Sequence, residues 1–160
     1  MGQLLNMNGR QRLMIESAHK RAVFDINVFL AAHITRNPKS PTAELLQRWR
    51  NKEFDLLYCD ALLNEIEEKL MEKSISQSII NRLITELQLF AIRIEIALTD
   101  VVPIIVDGPD DDIIIACALA GNATHIVTYD SHFNILGGIY NEIKIVDGLK
   151  FLYEVRKDYE

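Results

Sequence analysis

The chain has 160 residues, of which 49% are apolar and 25% are charged, so it is long enough to bury one hydrophobic core. This composition excludes a chain that is disordered throughout and a low-complexity protein. Its 17 lysine and arginine residues are outnumbered by 23 aspartate and glutamate residues, which gives a net charge of −6. Nucleic-acid binding by overall charge alone is therefore excluded, since proteins that bind in this way are normally basic.

Two cysteines, Cys59 and Cys117, are too few for a disulfide framework or a cysteine-based zinc site. Both lie in apolar runs, which predicts buried core residues and favours a reducing, cytoplasmic location. The longest uncharged stretch, residues 113–129, is interrupted by small and polar residues and falls short of the ~20 apolar residues that a membrane span needs. We therefore expect no membrane association.

The first 18 residues have weak periodicity and predict an N-terminal tail, followed by a single domain over residues 19–155. Residues 22–24 are a short apolar run that is typical of a buried strand. Ser40 and Pro41 predict a helix start, because serine caps helices and proline suits the first helical position. One face of that helix is apolar and predicts core contacts for Leu45, Leu46 and Trp49.

Residues 54–59 predict a second strand, and Asp60 is expected to cap a helix that runs to Met71. Ser76 begins a longer helix whose apolar residues exceed what one helix face needs: Ile79, Ile80, Leu83, Ile84, Leu87 and Phe90. This surplus predicts burial in a homodimer or against a partner protein. Residues 92–98 fit either a strand or the end of the helix.

Asp110 is expected to cap a helix over residues 111–120 that Gly121 ends. Further strands are predicted at residues 101–106, 125–128 and 143–146. The alternation of strands and helices predicts an α/β fold with a mainly parallel sheet.

Carboxylates follow several of these strands. Because the carboxyl ends of parallel strands share one edge, side chains that follow them are expected to meet there. The expected group contains Asp25, Asp130, one or more of Asp110, Asp111 and Asp112, and either Glu65 or Glu67 from the helix after Asp60.

Clustered carboxylates repel one another, and a hard cation such as Mg²⁺ or Mn²⁺ relieves that repulsion. The sequence therefore predicts a metal site that activates water for phosphoryl chemistry. The alternative interpretation of residues 110–112 is that they only cap their helix and complement its dipole.

Four motifs resemble, in their order along the chain, those of the PIN-domain nucleases, in particular the VapC-type toxins of toxin–antitoxin pairs. They are Phe24-Asp25-Ile26-Asn27-Val28, Leu63-Asn64-Glu65-Ile66, Pro109-Asp110-Asp111-Asp112 with Ile115-Ala116-Cys117-Ala118 behind it, and Thr128-Tyr129-Asp130 followed by Phe133. The resemblance covers about residues 21–150.

The resemblance implies metal ligation and catalysis by Asp25, Glu65, Asp112 and Asp130. It favours Asp112 over Asp111, because the family's acid stands three residues before the apolar pair at 115–116. Residues that would support the carboxylates by hydrogen bonds are Asn27, Thr128 and Asp111. Two positions depart from the family pattern: Ile26 replaces a small hydroxyl residue, and Tyr129 stands where a small or basic residue is frequent.

The fold implied by the resemblance is a three-layer α/β/α sandwich. The implied activity is Mg²⁺- or Mn²⁺-dependent endonucleolytic cleavage of single-stranded RNA. The implied partners are a cognate antitoxin and a second copy of the chain in a homodimer.

Other functions are less compatible with the sequence. A haloacid-dehalogenase-type phosphatase needs a second aspartate where Asn27 stands, and a receiver domain needs an acidic pair that Ile26 breaks. The remaining alternative is a PIN-like module that binds RNA or a protein without cleaving, which Ile26 favours. Basic residues at 20–21 and 48–52 are interpreted as phosphate contacts or as solvated surface. His132 is interpreted as a surface loop residue, with contact to the substrate as the alternative because it lies two residues from Asp130.

Overall fold

The computed structural model describes residues 19–34, 37, 39–105 and 110–159. The predicted tail, residues 1–18, lies outside the described residues. The strands are β1 (Arg21–Phe24), β2 (Asp55–Tyr58), β3 (Ile92–Arg93), β4 (His125–Val127), β5 (Ile139–Tyr140) and β6 (Ile143–Val146). The helices are α1 (Ile26–Ile34), α2 (Pro41–Arg50), α3 (Asp60–Glu72), α4 (Gln77–Phe90), α5 (Asp111–Ala120) and α6 (Gly148–Asp158).

The six strands form one sheet in the order β3-β2-β1-β4-β6-β5, and every neighbouring pair is parallel except β5 with β6. In the centre of the sheet, Val23 of β1 pairs with Leu57 of β2 and with Ile126 of β4. Helices flank the sheet: α2 packs against α1 and α6, while α3 packs against α1, α4 and α5. The predicted α/β sandwich with a mainly parallel sheet is thereby confirmed.

An aromatic cluster lies in the core around Phe24. The centroid of its ring is 5.7 Å from that of Phe54, 5.8 Å from that of Phe29 and 6.0 Å from that of Phe151. These side chains come from β1, α1, α6 and the turn before β2, so their burial fastens helices to the sheet. The predicted core residues Trp49, Cys59 and Cys117 are also buried, as expected.

Helix ends agree with the sequence at Ser40, Ser76 and Gly121 and differ from it at Asp60. The Ser40 side chain accepts a 3.3 Å hydrogen bond from the Ala43 backbone N–H, as an N-cap does. Asp60 is not the cap of α3 but its first residue, and its carboxylate binds the Arg93 guanidinium instead. Asp110 occupies the cap position of α5 without a capping hydrogen bond from its side chain.

The segment after the edge strand β3 also differs from the prediction. The only strand within residues 92–98 is the two-residue β3, a short 3₁₀ helix begins at Leu98, and residues 101–105 form no strand. The backbone N–H groups of Ile104 and Ile105 donate to the Asp112 carboxylate, at 3.1 and 2.9 Å, and not to a neighbouring strand. Residue 106, the predicted end of this strand, lies outside the described part of the chain.

The apolar surplus of α4 remains partly in contact with solvent. Ile80, Leu83 and Leu87 are buried, whereas Ile79 is 39% and Phe90 66% exposed. The structure thus accounts for one apolar face of α4 and leaves part of the other uncovered.

The last helix, α6, runs to Asp158, three residues beyond the predicted end of the domain. The limits of the domain stay a prediction. Among the described residues, no helix has the length and apolar character needed to cross a bilayer.

Candidate metal centre and active site

A cleft of about 320 Å³ opens at the carboxyl edge of the central strands. Asp25 directly follows β1, and Asp130 follows the adjacent β4, so the parallel pairing of these strands brings the two residues together. The α3 and α5 helices contribute the other acidic side chains. The cleft is lined by Asp25, Ile26, Asn27, Leu30, Glu65, Lys69, Asp110, Asp111, Asp130 and His132.

Asp25 is 5% exposed, and both of its carboxylate oxygens accept hydrogen bonds. The Thr128 hydroxyl donates to Oδ2 at 2.7 Å, and the Ile26 backbone N–H donates to Oδ1 at 2.7 Å. The same Thr128 hydroxyl oxygen accepts from the Asp130 backbone N–H at 3.0 Å. Thr128 therefore positions two of the predicted ligands, as a supporting residue would.

Asn27 supports the site through the backbone that follows β4. Its Oδ1 accepts a 3.2 Å hydrogen bond from the Tyr129 N–H. Because Tyr129 lies between Thr128 and Asp130, this contact fixes the segment that carries Asp130. Asn27 thus holds a carboxylate in place through the main chain and not by a direct hydrogen bond of its own to that group.

Asp111, Asp130 and His132 form the tightest group of potential metal ligands among the described residues. One ligand atom from each lies within 4.8 Å of the others. His132 Nδ1 is 3.2 Å from Asp111 Oδ2 and 3.4 Å from Asp130 Oδ1, and the His132 backbone N–H donates to Asp130 Oδ1 at 2.9 Å. Two carboxylates and an imidazole are suitable ligands for a divalent cation, so this group could hold a metal.

The pKa values of Glu65 and Asp111 in the cleft are raised, as expected for acids that are crowded and partly buried. The pKa of Glu65 is raised to about 7, mainly by burial and then by the charges of Asp110 and Asp25. The pKa of Asp111 is raised to about 6, mainly by burial, against the lowering effect of its hydrogen bond with His132.

Burial likewise raises the pKa of Asp25, while the hydrogen bonds from Thr128 and Ile26 oppose the rise. A cation in the cleft would favour the charged form of each of these carboxylates. The donor set and its electrostatics therefore fit a divalent metal.

The structure differs from the sequence expectation at Asp112. Asp111, which was expected only to support the site, lines the cleft, whereas Asp112 does not. The Asp112 carboxylate is buried and accepts from the Ile104 and Ile105 N–H groups. Adjacent residues on a helix point about 100° apart, so only one of the pair faces the cleft.

Glu65, and not its neighbour Glu67, lines the same cleft as Asp25 and Asp130. The choice between these two glutamates was open from helix periodicity alone, and the structure places Glu65 as the resemblance implied. Whether Asp25, Glu65 and Asp130 ligate a metal stays a prediction.

Lys69, one helical turn after Glu65, and His132 also line the cleft, although the sequence predicted neither of them as a metal ligand or catalytic residue. His132 is exposed, as its interpretation as a surface residue predicts, and it also contacts Asp111 and Asp130. The available signal was its position two residues after Asp130.

Four of the basic side chains considered as phosphate contacts, those of Lys20, Arg21, Arg48 and Arg50, are paired within the fold. Arg48 binds Glu44 and Glu53, and Arg50 binds Glu86. At the opposite edge of the sheet, Lys20 pairs with Asp158, and Arg21 donates to the Gly121 carbonyl and pairs with Asp55. These pairs favour the interpretation as solvated structural surface.

The fold and the cleft together define an α/β protein with an acidic, metal-competent site at the carboxyl edge of its parallel sheet. A profile of the PIN domain matches residues 21–132, a segment that begins at β1 and ends at His132. The chain belongs to the PIN domain family, a family of nucleases. No curated protein matches the chain.

Proposed function

We propose that this protein is a metal-dependent endoribonuclease that cleaves single-stranded RNA at the acidic cleft. The observation that carries the proposal is the convergence of Asp111, Asp130 and His132, within 4.8 Å of one another, beside the buried Asp25. Single-stranded RNA as the substrate is inferred from the resemblance to VapC-type toxins.

Asp25, Asp111, Asp130 and His132 are the residues that would hold the metal, with Glu65 and Lys69 facing the same cleft. A bound Mg²⁺ or Mn²⁺ would supply an activated water and stabilise negative charge on the phosphodiester. The protein's part is to fix its carboxylates, which Thr128 and the Ile26 N–H do by hydrogen bonding to Asp25. Lys69 is a cleft cation suited to contact a substrate phosphate.

Ile26 replaces the small hydroxyl residue of the family pattern, but Asp25 still accepts a hydrogen bond from a hydroxyl group. The Ile26 side chain is buried, and the Thr128 hydroxyl donates to Asp25 from the neighbouring strand. This contact favours a cleaving enzyme over a module that only binds RNA.

We further propose that the protein is the toxin of a toxin–antitoxin pair, forms a homodimer, and is inhibited by a cognate antitoxin. Support comes from exposed apolar side chains at the end of α4 and on β3: Leu89, Phe90 and Ile92. Light scattering on the isolated chain tests the homodimer, and a monomer at high concentration would contradict it.

The nuclease activity is tested with matched single-stranded RNA, duplex RNA and single-stranded DNA of one sequence. We expect cleavage of the single-stranded RNA with Mg²⁺ or Mn²⁺, none with EDTA, and none by the Asp111→Asn variant. Retained RNA binding without metal-dependent cleavage would favour the binding module. Cleavage of the DNA at an equal rate would contradict RNA specificity.

A further inference from the structure

Tyr129 is an exposed aromatic residue inserted between two residues of the site. It follows Thr128 and precedes Asp130, and 47% of it is exposed to solvent. Its backbone N–H donates to Asn27, which lines the cleft. Tyr129 itself is not among the residues that line the cleft: its ring lies beside the cleft, and its hydroxyl reaches Gly148 at the start of α6.

The tyrosine is held at both ends. Its backbone is fixed by Asn27, and its hydroxyl lies against Gly148, the first residue of α6. A Cβ on residue 148 would overlap that hydroxyl oxygen, so the absence of a side chain at Gly148 makes room for it. A tyrosine anchored in this way loses little further conformational entropy when a flat ligand binds its exposed surface.

We infer that Tyr129 is a stacking platform for an unpaired nucleobase of the strand that enters the cleft. The inference rests on the proposed function, since it places the base beside the cleft in which the strand would be cleaved. Unpaired bases stack on exposed aromatic rings whatever their sequence, whereas paired bases are already stacked within a duplex. The platform would therefore add substrate affinity and a preference for single strands.

The test combines ring removal with base removal. Wild type, Tyr129→Leu and Tyr129→Phe are assayed on the shortest single-stranded RNA that the protein cleaves, and on copies carrying one abasic nucleotide at each successive position. Tyr159→Leu is the matched control, because Tyr159 is also exposed, at 54%, but follows Asp158 at the opposite edge of the sheet.

With the intact RNA, we expect Tyr129→Leu to lose about tenfold in kcat/KM, mostly through KM, while Tyr129→Phe retains most of the activity. At one abasic position the wild type should lose a similar factor, and Tyr129→Leu should lose nothing more. Equal losses by Tyr129→Leu on the intact RNA and on every abasic RNA would overturn the platform, because they would show a merely structural effect. Cleavage by the wild type would still support the proposed function in that case.

If the wild type cleaves no RNA, the proposed function fails. A binding measurement then tests separately whether Tyr129 stacks on a base. The probe is then single-stranded RNA carrying 2-aminopurine, whose fluorescence is quenched by stacking. Quenching by wild type that is lost in Tyr129→Leu and kept in Tyr159→Leu would support the platform. Equal quenching by all three proteins, or by none, would overturn it.

Discussion

The hydroxyl of Thr128 donates a 2.7 Å hydrogen bond to Asp25 across two parallel strands, although the residues are 103 positions apart in sequence. The same oxygen accepts from the Asp130 N–H. One small side chain therefore sets the relative position of two carboxylates that follow neighbouring strands.

Replacement of Thr128 by valine should weaken metal binding. Valine keeps the shape but removes the donor to Asp25 and the acceptor for Asp130, so we expect a loss of about 10- to 100-fold in Mn²⁺ affinity. Titration calorimetry measures this loss. Thr128→Ser keeps the hydroxyl and should bind Mn²⁺ nearly as well as the wild type; an equally weakened serine variant would mean that packing, and not the hydrogen bonds, matters.

Asp111 and Asp112 should respond in opposite ways to substitution. Asp111→Asn removes a carboxylate from the crowded cleft, so we expect a Tm in EDTA no lower than that of the wild type and a much smaller rise in Tm with Mn²⁺. Asp112→Ala leaves the Ile104 and Ile105 N–H groups without their acceptor and should lower the free energy of unfolding by about 2 kcal/mol or more.

Thermal melts with and without Mn²⁺ measure both effects. The Asp112→Ala variant should keep the Mn²⁺-dependent rise in Tm, since its carboxylate lies outside the cleft. Loss of that rise in Asp112→Ala, together with its retention in Asp111→Asn, would restore Asp112 as the ligand.

His132 should contribute to metal binding. Its Nδ1 lies 3.2 Å from Asp111 and 3.4 Å from Asp130, and we expect His132→Ala to weaken Mn²⁺ binding by about tenfold in calorimetry. His19→Ala serves as control. This exposed histidine precedes β1 and contacts Asp55, the first residue of β2, so it lies at the opposite edge of the sheet from the cleft. Electron spin resonance of bound Mn²⁺ should show nitrogen coupling in the wild type that His132→Ala lacks. Its absence from the wild type would exclude the imidazole as a ligand.

Glu44 should make stability dependent on acid pH. Its pKa is lowered from 4.5 to about 2, first by the hydrogen bond from Arg156 and also by Arg48. Between these values the folded state binds fewer protons than the unfolded chain, so the stabilisation is complete above about pH 4.5 and is lost as the pH falls towards 2.

Urea unfolding of wild type and Glu44→Gln at a series of pH values measures this effect. The difference between the two free energies of unfolding should shrink as the pH falls. Arg156→Gln, which removes the main partner of Glu44, should show the same trend. A difference that stays constant over this range would contradict the contribution of the ionised carboxylate.

The strand ends and the carboxylates that follow them could be predicted from sequence. Asp25 and Asp130 each come within a few residues of a short apolar run, and such runs must be buried strands in a sheet covered on both faces. Trp49 and the two cysteines were likewise identified as core by their apolar neighbours. These inferences succeeded because they depend on local periodicity and on the geometry common to all parallel sheets.

Other features depended on contacts between distant segments. Apolar residues at 101–105 predict a strand, but the chain there satisfies its N–H groups with Asp112, a side-chain acceptor that strand propensity does not reveal. Gly121 ends α5 as predicted, but without the left-handed backbone that is typical of a glycine after a helix. Its φ is −90°, and the glycine is needed for space, because a Cβ there would come within 2.8 Å of Leu57 and 3.0 Å of Ile94.

The sequence by itself predicted the fold class, the edge of the sheet that carries the acidic cleft, and two of its carboxylates, Asp25 and Asp130. The resemblance to a known family added Glu65. Only the tertiary structure placed Asp111 and not Asp112 in the cleft, and added His132 beside it. The physical reason is angular: a turn of about 100° separates neighbouring helix residues, and the packing of α5 against the sheet fixes which one faces the cleft. Three consecutive aspartates in a sequence do not indicate which of them faces the cleft.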